Sequence, residues 1–126
     1  MNSIPTTEKQ AERAVVELFE LYGWEVNVMR EDIHVGSKGI PDLMMVSPYG
    51  LTLHIEMKRP ASPRNPKGRV RKAQKARLIE WRRRGVACCV ADGVGYGLKL
   101  LVRLGNYSDI MEVCDRLMAE YEWWPA

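Results

Sequence analysis

GIPDLMMVSPYGLTLHIEMK, residues 39 to 58, is the stretch on which the fold of this chain turns. It reads as two short strands around a tight turn. Asp42 opens the first strand, Leu43 to Val46. Ser47-Pro48-Tyr49-Gly50 supplies the turn, with proline and glycine where fixed and permissive backbone angles are needed. Thr52 to Lys58 is the second strand. Its alternation sets Leu51, Leu53, Ile55 and Met57 on one face and Thr52, His54, Glu56 and Lys58 on the other. Antiparallel partners keep a constant sum of residue numbers, so pairing Val46 with Thr52 sets Asp42 opposite Glu56. Cross-strand partners have Cβ atoms about 4.5–5.5 Å apart, close enough for two carboxylates to share a divalent cation. Lys58 projects from the same face.

Two adjacent carboxylates repel and need a counter-charge. A hard cation such as Mg²⁺, held by one or two carboxylates plus water and phosphate oxygens, supplies it. A lysine beside that cation can hold or help deprotonate an attacking water. Together these are the parts for metal-assisted hydrolysis of a phosphodiester.

The order Pro-Asp, turn, Glu-x-Lys resembles the PD-(D/E)xK nuclease superfamily. Gly39-Ile40-Pro41-Asp42, Glu56-Met57-Lys58-Arg59 and Gln74 together resemble its virus-type replication-repair nuclease (VRR-NUC) family, over about residues 8 to 92. The resemblance implies a restriction-endonuclease-like core in which Asp42 and Glu56 bind Mg²⁺ or Mn²⁺, with the backbone carbonyl of Met57 as a further ligand. It makes Lys58 the group that positions the water and stabilises transition-state charge, and Gln74 the group that orients the water from a helix. A glutamate of the first helix often joins such a site. Glu12 is the best match here, with Glu8 on the same side in reserve. Polar residues before the G-x-P-D, among them Ser37 and Lys38, would lie near phosphates. His34 in that segment is either a substrate contact or an ordinary loop histidine. Stand-alone relatives are associated with viruses and prophages and with branched DNA, which implies a homodimeric, Holliday-junction-resolvase-like enzyme.

Charge distribution bears on the same question independently. The net charge of +3 conceals a segment, Arg59 to Arg84, with eleven Lys and Arg against the single acid Glu80. That segment carries +10 and the rest of the chain −7. A basic block on an otherwise acidic protein points to a localised polyanion site, and nucleic acid is the natural polyanion. Arg59, Arg64, Lys67, Arg69, Arg71, Lys72 and Lys75 are the expected phosphate contacts. The alternative is a solvated charged helix, but such helices usually mix signs at i,i+4.

The remaining segments frame an α/β expectation. Thr7 and Gln10 form a capping box for a helix to about Tyr22, stopped by Gly23, with Ala11, Ala14, Val15, Leu18 and Tyr22 as its apolar stripe. Residues 24–30 alternate as a strand. The proline-rich 60–69 segment reads as a mobile basic loop, followed by a helix from Val70 to Arg84. There Val70, Gln74, Leu78 and Trp81 share one side, so Gln74 is a polar group on an apolar stripe and needs partners. Val86 to Ala91 is a continuous apolar run, fitting a central strand covered on both faces. GVGYG at 93–97 matches neither a phosphate loop nor a dinucleotide fingerprint, so it reads as a turn and no nucleotide cofactor is expected. A last helix, Asp109 to about Tyr121, would turn Ile110, Val113, Cys114, Leu117 and Tyr121 inward.

These elements give one α/β domain: a mixed central sheet flanked by helices, with a helical extension over about 98–124. The three cysteines, Cys88, Cys89 and Cys114, include no C-x-x-C pair and read as reduced core thiols. The start lacks a signal peptide's regions and no apolar run spans a bilayer, so a cytoplasmic chain without membrane contact is expected. Tyr107, Tyr121, Trp123, Trp124 and Leu98 to Leu104 offer an apolar patch, either for a second subunit or for the sheet edge of their own chain. Two other readings of the acids and bases stand beside the nuclease: a non-catalytic nucleic-acid-binding module using the basic block, and a structural cluster of Asp42, Glu56 and Lys58.

Overall fold

The computed structural model describes residues 5–29, 39–63, 66–92 and 96–125. The chain opens with α1 (Glu8–Leu21). Its capping box forms as expected: Thr7 Oγ1 accepts the Gln10 amide proton at 3.1 Å, and Gln10 Oε1 accepts that of Thr7 at 3.3 Å. Gly23, just beyond the C-cap, has φ +86°, a backbone that glycine adopts freely. The buried face differs from the expected stripe. Ala11, Val15 and Phe19 are buried, whereas Tyr22 is exposed. Phe19 meets Trp24 edge to face at 5.0 Å, and Trp24 Nε1 donates to the Val102 carbonyl at 3.0 Å. Tyr22 is already the C-cap and has left the helical face.

Among the described residues, four strands make one mixed sheet in the order β1 (Glu25–Val28), β2 (Leu43–Val46), β3 (Thr52–Met57), β4 (Ala87–Ala91). The β1–β2 and β2–β3 pairs are antiparallel and β3–β4 is parallel. Val46 pairs with Thr52 and Leu43 with Ile55, the register expected from the turn. The turn locks itself: the Gly50 amide donates to the Ser47 carbonyl at 3.0 Å, and the buried Ser47 hydroxyl accepts the Leu51 amide at 3.0 Å. Leu53, Ile55 and Met57 are fully buried on one face of β3.

The parallel β3–β4 pair requires a crossover, and α2 (Lys72–Arg83) provides it. It begins two residues later than expected, with Arg71 as its N-cap. It covers the opposite face of β3, where the Trp81 ring lies 4.6 Å from the ring of His54. His54 is thus a half-buried strand residue, and burial holds its imidazole below the usual pKa.

The apolar run at 87–91 is buried throughout, but β4 is the last strand of the described sheet rather than a central one. A continuous apolar run reports cover on two faces, not the number of hydrogen-bonded neighbours. Its outer edge is closed by side chains. The Val90 amide donates to Met118 Sδ at 3.2 Å, and Arg82 of α2 pairs with Asp115 through two bonds of 2.8 Å.

Two helices complete the fold, α3 (Tyr96–Leu101) and α4 (Tyr107–Met118). The expected glycine turn is therefore partly helix. Gly97 lies inside α3, where an added Cβ would overlap Leu117 of α4, so its glycine serves helix packing. Gly93 and Gly95 are outside the described residues. α4 starts earlier than expected because the Asn106 side chain caps it, accepting from the Asp109 amide at 2.9 Å. It ends at Met118, so Met118 is buried and Tyr121 falls beyond the helix.

One apolar core runs from Ala11 to Trp124. Cys88, Cys89 and Cys114 are free and buried within it, and burial pushes the Cys88 thiol up to about 12. Among the described residues no helix is long and apolar enough to cross a membrane.

Candidate active site

The G-I-P-D segment is pressed against the first turn of α2. Gly39 has φ +83°, and a Cβ there would lie 2.5 Å from the Ala73 carbonyl oxygen. Only glycine meets both conditions. Three residues on, Asp42 is tied at two points. Its carbonyl accepts the Met29 amide proton at 2.7 Å, and its Oδ2 accepts the Met57 amide proton at 2.8 Å. Asp42 is thereby fixed between the end of β1 and the end of β3.

Glu56 and Lys58 follow on the same face of β3, only 1% and 5% exposed. Lys58 Nζ stands 3.1 Å from Glu56 Oε2. Gln74 of α2, 6% exposed, bridges them: its Nε2 donates to Glu56 Oε2 at 2.9 Å, and its Oε1 accepts from Lys58 Nζ at 2.8 Å. The same Oε1 accepts the Arg71 amide proton at 2.9 Å. Two donors facing the oxygen and a carboxylate facing the nitrogen fix which way the amide points. The buried amide found the partners that its place on an apolar stripe required.

Glu56 is the strained member. Loss of water, then the nearby Asp42 charge, push its carboxyl up to about 8, and the attraction of Lys58 only partly offsets them. Its Oε1 is buried with no hydrogen-bond partner. An open cavity of about 310 Å³ lies here, lined by Glu8, Met29, Asp42, Glu56, Lys58, Arg71 and Gln74. Glu8, the reserve choice from α1, lines it. Glu12 is not part of the wall, but partial burial, then Asp42 and Glu8, raise its carboxyl. Both α1 glutamates therefore approach the Asp42 side.

Among the described residues, no three His, Cys, Asp or Glu side chains converge as a metal-binding group. What fits a cation is narrower: the unpartnered Glu56 Oε1 with Asp42 beside it, hard oxygen donors of the kind that Mg²⁺ takes in ones or twos while keeping its waters.

The basic block divides in space. Arg71 lines the cavity, and Arg69 and Lys72 are exposed near the start of α2. Arg59 instead donates to the Pro66 carbonyl at 2.7 Å, bracing its own loop. Lys67 pairs with Glu120 at 2.8 Å and approaches Asp92 at 3.8 Å. Lys75 stands over the Trp123 ring. Farther along, Arg82 and Arg84 are engaged by Asp115 and Glu80. His34, Ser37, Lys38 and Arg64 lie outside the described residues. Sequence reading missed Met29 as a cavity wall and Arg71 as the N-cap of α2. An N-cap that is not Ser, Thr, Asp or Asn leaves no local signal.

A mixed sheet carrying two acids and a lysine, with Glu56 and Lys58 bridged by a glutamine of the crossover helix, fits a nuclease of the restriction-endonuclease fold. The VRR-NUC domain model matches residues 2–95, and the chain belongs to that family. No curated protein and no solved structure matches it significantly. Residues 96–125, with α3 and α4, lie beyond the family match.

Proposed function

We propose that the chain is a Mg²⁺- or Mn²⁺-dependent DNA endonuclease selective for branched DNA, serving phage or prophage replication and repair. The observation that carries this reading is Glu56: a buried carboxylate with one unpartnered oxygen, beside a second carboxylate, in an open cavity. A cation held between the two acids would satisfy that oxygen, and an unmatched buried polar atom otherwise costs about 1–3 kcal/mol. A pure DNA-binding module would gain nothing from acids that repel phosphate.

When bound, a divalent cation offsets the charge of Asp42 and Glu56, polarises a phosphate oxygen and acidifies a water. The chain's own residues do the rest. Asp42, held by the Met57 amide, presents its carboxylate at a fixed position. Gln74 keeps Lys58 and Glu56 in register, so the Lys58 ammonium can hold the water and meet negative charge as it grows on the phosphorus oxygens. Arg71, at the cavity wall, takes a neighbouring phosphate oxygen. Resolving a four-way junction needs two symmetric cuts, which a homodimer with two such sites supplies.

The test is incubation with labelled four-way, flap and linear DNA, with and without Mg²⁺ or Mn²⁺. Cleavage that requires the cation and prefers branched DNA is the expected result. Tight binding without cleavage in either metal would return the chain to a binding module.

A further inference from the structure

Outside the family match, the chain ends in aromatic rings set among the lysines of the elements that border the cavity. Trp124 is the anchor. It is buried, and its Nε1 donates to Asp115 Oδ1 at 3.2 Å, the same carboxylate that Arg82 of α2 holds. Trp123 is thereby set half-buried, edge to face with Trp124 at 6.0 Å and tilted against Tyr121 at 5.3 Å. Lys75 Nζ stands 5.8 Å from the Trp123 centroid, and Lys67 Nζ 5.5 Å from that of Tyr121.

Two lysines link these rings to the elements that border the cavity. Lys75 is one helical turn from Arg71, which lines it, and side chains at that spacing are about 5–6 Å apart at Cβ. Lys67 reaches towards Asp92, next to Ala91, whose carbonyl accepts the Lys58 amide proton at 2.8 Å. Core packing explains Trp124. Tyr121 and Trp123 pack against the same core yet stay half-buried, each with a lysine over its ring.

We propose that Tyr121 and Trp123, with Lys67 and Lys75, form a platform for an unpaired stretch of the DNA strand that passes the cavity. The proposal rests on reading that cavity as a site of phosphodiester hydrolysis. Aromatic faces interleaved with cations suit single strands, because bases stack on rings when they are not paired and phosphates take the lysines. Duplex DNA buries its base faces and gains only the lysines. The acids nearby define the arrival step. Glu120 holds Lys67 at 2.8 Å, so a phosphate replaces one anion with another, while Glu122 is exposed alongside.

Binding of the full chain to a labelled oligothymidylate and to a blunt duplex, both in EDTA, tests this without any cleavage. Trp123→Leu, which keeps an apolar side chain, is expected to weaken the single strand by about 5- to 140-fold and to leave the duplex unchanged. Trp123→Tyr should restore most of that loss, and Glu120→Gln should tighten the single strand by freeing Lys67. Equal losses on both DNAs, or no loss on either, overturn the platform. Should Trp123→Leu melt early, Glu120→Gln decides: unchanged affinity for the oligothymidylate overturns it. Absence of cation-dependent cleavage by the unaltered chain sinks the endonuclease reading and leaves this binding measurement standing.

Discussion

At Glu56 the chain places a carboxylate where water, an ordinary pKa and full hydrogen bonding are all denied. Its folded pKa of about 8 lies above the ordinary value of 4.5, so the folded state holds the proton more tightly than the unfolded one. The sign follows: without metal, Glu56 lowers stability as pH rises from 4.5 towards 8. Thermal melts in EDTA should show this decline, and Glu56→Gln should remove its share. A cation that displaces the proton should bind more tightly as pH rises, so stabilisation by Mg²⁺ should grow from about pH 6 to 8. Glu56→Gln and Lys58→Ala are each expected to abolish cleavage while retaining most DNA affinity, because phosphate grip resides elsewhere. Asp42→Asn should do the same and also weaken the response to Mg²⁺. Full activity of Glu56→Gln at saturating Mg²⁺ would falsify the site assignment. Gln74→Ala leaves buried Glu56 and Lys58 short of partners, at a cost of about 1–3 kcal/mol read by denaturant melts.

Among the elements, α2 does the most to assemble the site, and its contact with Gly39 sets how close it comes. Gly39→Ala should destabilise the chain by about 1–2 kcal/mol from the left-handed backbone alone, and by more once the Ala73 carbonyl is pushed away. Activity should fall with it, since the Gly39–Asp42 segment and Gln74 would separate. A melt indistinguishable from that of the parent chain would refute the close approach. The basic block acts by element rather than as a whole. Neutralising Arg69, Arg71, Lys72 and Lys75 together should weaken binding to every duplex and flatten its salt dependence, by roughly 0.9 of slope for each phosphate left without its cation. Neutralising Arg82 and Arg84 should leave that slope nearly unchanged, because Asp115 and Glu80 already engage them.

For the whole molecule, assembly decides how many sites act together. The apolar residues that the sequence offers for a second subunit are largely spent at home: Leu98, Leu101, Val102 and Trp124 are buried in their own chain. Tyr107 stays exposed, and its hydroxyl donates to the Gly85 carbonyl. Of the other exposed large apolar side chains among the described residues, Leu21, Tyr22, Val28 and Met29 lie at the ends of α1 and β1, and Tyr49 stands out from the β2–β3 turn. The proposed homodimer would therefore pair through a surface other than the tail. Sedimentation at micromolar concentration gives the mass, and a four-way junction labelled on each strand reports whether cuts come in symmetric pairs. A monomer that nicks flaps singly and ignores four-way junctions would keep the nuclease and remove the resolvase.

Along one hairpin, sequence alone was enough. The period of two in β3 puts Glu56 and Lys58 on one face, and the Ser47–Gly50 turn fixes the register, Leu43 against Ile55, that carries Asp42 to the end of β3. The α1 cap and the glycine stops at 23 and 85 are equally local, since each depends on residues within a few positions. What tertiary structure decided involves segments distant along the chain. The sequence showed that Gln74 needed partners, but only the approach of α2 to β3 supplied Glu56 and Lys58. Solely the surrounding core could strip Glu56 of water. The position of β4 at the sheet margin, the division of the basic block and the folding back of Trp124 onto Asp115 have the same origin. Periodicity is written in the backbone geometry of a single element. Burial depth and charge pairing depend on which other element comes to rest against it.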